Sequence, residues 1–127
     1  MRKRVLVAED FDDVRGMMRA FLEHQGFDVL EAADGFEAVE KAVSRKPDLI
    51  LMDIAMPVMD GIQATAAIRK HDNLGDVPIV AVTAYADFYS DRARDVGCND
   101  VVQKPVDFAR LSPIVDGFIS RKRSLSH

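Results

Sequence analysis

The sequence has a single cysteine, Cys98, no tryptophan and only two tyrosines. One thiol cannot make an internal disulfide, so the fold must stand on its apolar core, and such sparse cysteine fits a reducing compartment. No apolar run approaches the roughly 18 residues of a membrane span, and no signal-peptide core follows Met1. These absences predict a cytoplasmic protein with no membrane partner. A basic excess is missing too. The formal net charge of −4 leaves no electrostatic footprint for direct binding of nucleic acid. Linkers, repeats and low-complexity stretches are also absent. What is present suffices for one core: 127 residues, 48% of them hydrophobic, is the size of one domain.

Short apolar runs alternate with stretches of helical period. Residues 5–8, 27–31, 49–52, 79–82 and 101–102 are strand candidates, and their unbroken apolar character suits a parallel sheet covered on both faces. Val14, Met17, Met18, Phe21 and Leu22 form an amphipathic stripe that Gly26 stops. Phe36, Val39 and Val43 mark a second helix, closed before Pro47. A weaker third covers about 60–70, a fourth carries Tyr89, Ala93 and Val96 up to Gly97, and a fifth carries Phe108, Leu111, Val115, Phe118 and Ile119. Pro113 falls inside the last. Either the helix kinks there, or Ser112 caps a new start with proline at its first position. The pattern is (βα)5, and right-handed crossovers favour an α/β fold with an open, doubly wound, five-stranded parallel sheet of order 2-1-3-4-5, flavodoxin-like.

In such a sheet the site lies at the carboxyl ends of the strands where their order reverses, between strands 1 and 3. Strand 1, "VLVAED", ends in Glu9 and Asp10, and strand 3, "LILMD", ends in Asp53. Three carboxylates in one crevice repel one another, and a hard divalent cation such as Mg2+ relieves that repulsion. Thr83 closes strand 4 and Lys104 follows strand 5 on the same edge. Any one of these residues alone reads as a helix cap or a solvated surface group. Five suitable residues at four strand ends do not, and a carboxylate, a bound cation and an ammonium together suit phosphoryl transfer to the carboxylate.

With Glu9-Asp10, "LMDIAMPVMDG" around Asp53, "AVTA" with Thr83 and "KP" at Lys104-Pro105, the chain resembles the receiver domain of two-component response regulators, of the chemotaxis type, over residues 3 to about 120. The resemblance implies that Asp53 accepts a phosphoryl group from a phosphohistidine of a sensor histidine kinase or histidine phosphotransfer protein. It implies that Asp10, Asp53 and the backbone carbonyl of Ala55 hold Mg2+, with Glu9 contributing through water. Lys104 then pairs with the carboxylate and later with a phosphoryl oxygen, Thr83 donates its hydroxyl to the phosphoryl group, and the small Ala84 leaves access to Asp53. The Lys-Pro bond is commonly cis in this family. Signal leaves through helix 4, strand 5 and helix 5 toward a downstream protein target, and Arg92, Arg94, Asp95 and Asp100 are candidates for a homodimer face. The expected organisation is a receiver domain over 1–121 and a short tail over 122–127 with no output domain.

One position departs from the family. Val101 stands three residues before Lys104, where many receivers carry a Tyr or Phe that swings inward with the threonine, and Tyr85 is the aromatic left near the mouth. Two other readings compete. Aspartate-nucleophile phosphatases place a "DxD" nucleophile after strand 1 and need a cap domain, whereas this chain has "EDFDD" there, its best nucleophile on strand 3, and no room for a cap. A degenerate receiver acting without phosphorylation would lack part of the five-residue set. His24, His71 and His127 have no partners at metal spacing and are expected at the surface.

Overall fold

A computed structural model describes residues 2–125. Five parallel strands, β1 (Arg4–Ala8), β2 (Asp28–Ala32), β3 (Leu49–Asp53), β4 (Ile79–Thr83) and β5 (Asp100–Gln103), lie in the order β2-β1-β3-β4-β5. Five helices alternate with them: α1 (Asp12–His24), α2 (Gly35–Arg45), α3 (Gly61–Arg69), α4 (Ala86–Val96) and α5 (Phe108–Leu125). A 3-10 turn at Asp72–Leu74, which the sequence pattern did not predict, precedes β4.

Alternation along the strands splits the core in two. Leu6, Ala8, Ile50, Met52, Ile79 and Ala81 face α2, α3 and α4, while Val5, Val7, Leu49, Leu51 and Val80 face α1 and α5. All five residues of β3 are buried, as an apolar run between two helical layers requires. The stripes read from the sequence are only half right about burial. Met17 (57% exposed), Phe36 (56%) and Val43 (37%) face solvent, and α2 packs inward through Ala38 and Ala42 instead. A helix lying close on the sheet needs small residues at the contact, and a search for large apolar residues overlooks them. Helix α5 runs unbroken through Pro113, so Ser112 starts no new helix. It continues to Leu125, into the stretch expected as a tail, and His127 lies outside the described residues.

The loop from β3 to α3 is shaped by three local devices. Val58 takes φ 68° in a three-residue turn closed by the Met59 N–H donating to the Pro57 carbonyl at 2.7 Å, a conformation that β-branched residues disfavour. Asp60 caps α3, accepting from the Gln63 N–H at 2.8 Å while Gln63 reaches back to the Asp60 N–H at 3.1 Å. Gly61 lets the start of α3 press on the backbone of the strand end. A Cβ there would lie 2.2 Å from the carbonyl oxygen of Asp53. Gly61→Ala is therefore expected to destabilise the fold by on the order of 3 kcal/mol, read as a lowered urea midpoint at unchanged m-value, because backbone and not a flexible side chain must yield.

Candidate functional site

The sheet register brings the predicted residues to one edge. β1 pairs with β3 so that Ala8 lies opposite Met52, which sets Glu9 and Asp10 beside Asp53. β4 pairs with β3 so that Val82 lies opposite Asp53, which sets Thr83 one position beyond it. Glu9 and Asp53 are buried, and one carboxylate oxygen from each of Glu9, Asp10 and Asp53 lies within 4.8 Å of the others. Lys104 reaches in from the end of β5, with its Nζ 2.7 Å from Glu9 Oε1 and 3.2 Å from Asp53 Oδ2. The lysine thus sits between two acids and is closer to Glu9 than to the expected partner, Asp53. The Lys104–Pro105 peptide is cis.

Backbone donors fix the acids from the other side. The Phe11 N–H donates to Glu9 Oε2 at 3.3 Å, and the Ala55 N–H donates to Asp53 Oδ1 at 3.3 Å. Thr83 is buried, and its Oγ1 accepts the Tyr85 N–H at 3.1 Å, which leaves the hydroxyl proton to be given elsewhere. Tyr85 itself is 69% exposed, and Val101 is a half-buried residue packed on the core.

The electrostatics follow from this crowding. Burial first, and the adjacent Glu9 second, push Asp53 up to about 7, although Lys104 pulls the other way. Burial also acts to raise Glu9, but hydrogen bonds with Asp53 and Lys104 outweigh it and hold Glu9 below the ordinary glutamate value. Burial and Glu9 raise Asp10. Burial works to lower Lys104, yet its contacts with Glu9 and Asp53 prevail and raise it. Asp53 is thus the acid of the cluster that burial and its neighbour most favour in the protonated form, with the ammonium alongside.

A stability consequence follows. Because the folded-state value of Asp53, about 7, exceeds its ordinary 3.8, the folded chain binds that proton more tightly than the unfolded chain does. The penalty is absent below about pH 4 and grows as pH rises to about 7. Asp53→Asn is therefore expected to stabilise the metal-free protein at pH 8 by on the order of 2 kcal/mol, with the gain shrinking toward pH 4, as urea unfolding at several pH values will read.

The donor set suits a hard cation. Asp10 Oδ1 is buried with no hydrogen-bond partner among the described residues, an orphaned acceptor beside two more carboxylates. Oxygen ligands in excess of positive charge are what Mg2+ takes.

Two side chains that sequence reasoning passed over complete the frame. Arg15, on α1, donates to the Glu9 carbonyl oxygen at 2.8 Å, to Glu31 at 3.1 Å and to Asp12 at 2.6 Å, tying the end of β1 to β2. Gln103, on β5, bonds the loop after Thr83. An arginine on a charged helix face and a glutamine in a strand carry no signal of their own, and only the register shows what they reach.

An open doubly wound sheet with acids, a hydroxyl and an ammonium at its switch point belongs to the class of α/β domains that take their ligands at the carboxyl ends of the strands. The particular family is shown by comparison: residues 5–116 match the model of the response regulator receiver domain, and the chain belongs to that family. It is a phosphoacceptor signalling domain of two-component systems. It is 32% identical over 120 residues to the polar-differentiation response regulator DivK of Brucella anthropi, covering 94% of this chain and 98% of that one. It is 38% identical over 126 residues to the transcriptional regulatory protein PdtaR of Mycobacterium tuberculosis, where it spans 98% of this chain but only 60% of the relative. Among solved structures it resembles the receiver domain of the sensor histidine kinase PA1611 of Pseudomonas aeruginosa, solved with a magnesium ion in the active-site cleft, at TM-score 0.88 and 36% identity, covering 94% and 99% of the two chains. Among the described residues no helix is long and apolar enough to cross a membrane.

Proposed function

We propose that Asp53 is the phosphoacceptor and that the surrounding residues serve its phosphorylation. The observation that carries this is the Lys104 ammonium bridging Glu9 and Asp53, the former 95 residues away in sequence, beside an Asp10 oxygen left without a partner. A carboxylate oxygen of Asp53 attacks the phosphorus of a phosphohistidine, the P–N bond breaks, and an aspartyl phosphate forms while the imidazole leaves. Lys104 is placed to move from the carboxylate to a phosphoryl oxygen, and Thr83 to donate its free hydroxyl proton to another. Ala84, small and exposed, leaves the approach open.

Glu9, Asp10 and Asp53, with the carbonyl of Ala55, are the residues that would hold Mg2+, Glu9 through water because its own oxygens are already engaged. When bound, the ion neutralises the gathered carboxylate and phosphoryl oxygens. The donor is a sensor histidine kinase or a histidine phosphotransfer protein, which the resemblance to receivers of both kinases and regulators supports. The reader of the signal is a downstream protein that meets α4, β5 and α5. Exposed Arg92 and Asp95 on α4 suit such a partner or a second copy, whereas Arg94 is already turned toward Asp100 at 3.4 Å. The setting is the cytoplasm, with no direct contact to nucleic acid. The organisation we favour is a receiver over 1–121.

Transfer from a labelled phosphohistidine donor tests this reading. Label is expected on the chain only when Mg2+ is present, and a chelator should abolish it. Asp10→Asn removes one charge from the cation site, so the Mg2+ concentration for half-maximal transfer should rise on the order of a hundredfold. Equal transfer with and without metal would sink the reading.

A further inference from the structure

Gln103 is the only residue of β5 whose side chain is tied to three backbone points, and all three lie around the phosphoacceptor edge. Its Nε2 donates to the Ala84 carbonyl at 2.6 Å and to the Lys104 carbonyl at 2.8 Å, while its Oε1 accepts the Ala86 N–H at 2.9 Å. Both amide protons and the carbonyl are thereby used. Turning the amide over would set an oxygen against two carbonyls and an NH2 against an N–H, so one orientation alone is satisfied. Each anchor has a meaning in the site. Ala84 follows Thr83 directly. Ala86 is the first residue of α4, whose N-cap, Tyr85, makes no side-chain capping bond. Lys104 is the lysine of the acid cluster. Gln103 is also the register partner of Thr83, and the Lys104 N–H donates to the Thr83 carbonyl at 2.7 Å.

We propose that Gln103 is a positioning residue that caps α4 from the neighbouring strand and couples the start of that helix to Thr83 and Lys104. The inference rests on the phosphoacceptor reading for its functional meaning, but the capping itself does not. With Val101 packed on the core where an aromatic would swing, and Tyr85 largely exposed, the carboxamide is the side chain that joins the site to α4. When Thr83 moves toward a phosphoryl oxygen, the Ala84 carbonyl moves with it, and the same carboxamide carries that shift to the Ala86 N–H and the first turn of α4.

Two readouts on the full chain test the proposal, with Gln103→Ala as the variant, since an exposed side chain leaves the core untouched. In the metal-free protein, amide hydrogen exchange at Ala86 is expected to quicken about five-fold in the variant, the loss of the one hydrogen bond which that amide makes to the side chain, while the urea midpoint falls only slightly, because all three lost bonds are exposed. With Mg2+ and beryllofluoride as the phosphoryl mimic, amide resonances at Thr83 and along α4 should both shift in the native chain. In Gln103→Ala the Thr83 shift should persist and the α4 shift should fall to less than a third. Unchanged exchange at Ala86 would overturn the cap. An α4 shift equal to the native one would overturn the coupling. If the native chain itself shows no Thr83 response, the phosphoacceptor reading fails and the coupling with it, while the exchange comparison still decides the cap.

Discussion

Asp53→Ala is expected to abolish phosphoryl uptake, with a loss of at least about a thousandfold from a phosphohistidine donor, because no other carboxylate can take over the attack. Glu9 is the nearest rival and is disqualified by its contacts. Its two oxygens are held by Lys104 and by the Phe11 N–H. Asp10 is turned into the same cluster with an unpaired oxygen, which suits a cation ligand. Asp53 alone combines a mount on the buried strand β3, an ammonium at 3.2 Å and a neighbouring threonine strand end. Loss of uptake must come without loss of fold. The alanine removes a carboxyl that burial and Glu9 disfavour in its charged form, so the variant should unfold at higher urea than the native chain at pH 8. A variant that is more stable and inactive separates a functional group from a structural one. A variant that still accepts label would place the nucleophile elsewhere.

Lys104→Met is expected to cost about 3–5 kcal/mol of stability in the absence of metal, the largest stability effect of any site substitution. The ammonium is the counterion of two buried acids, and methionine fills its space without its charge. Without it the two carboxylates face each other uncompensated. The chain can respond only by holding more protons, so the deficit should widen as pH rises from 5 to 8. Adding Asp53→Asn to Lys104→Met should recover most of the loss, since one of the two acids is then neutral, and the double-mutant cycle on urea midpoints measures that coupling directly. A small and pH-independent cost would mean that the lysine is solvated rather than bound.

Much of this was legible in the sequence because the physics that builds the sheet also writes a simple pattern. Residues buried on both faces must be apolar, so β1, β3 and β4 stand out, and the first polar residue after each run marks where the strand meets the crevice. Glu9, Asp53 and Thr83 were found that way, and topology put them side by side. Helix ends were equally readable where glycine takes a left-handed turn, as Gly26 and Gly97 do at φ 98° and 114°. The inner face of α2 was not legible, because Ala38 and Ala42 look like ordinary helix formers and the larger Phe36 and Val43 mislead. Nor was the contact of Lys104 with Glu9, since spacing names the strand end but not which of two acids the ammonium prefers. Arg15 and Gln103 were invisible for the same reason: a polar side chain that serves the backbone of a distant segment has no periodicity to betray it.

The measurement that tests the central claim most directly is the intact mass of the chain after incubation with acetyl phosphate and Mg2+, beside a chelator control and Asp53→Ala. The account predicts a gain of about 80 Da that appears only in the native chain and only with the metal, the signature of one aspartyl phosphate. A gain of the same size in Asp53→Ala, or one indifferent to chelation, would contradict it.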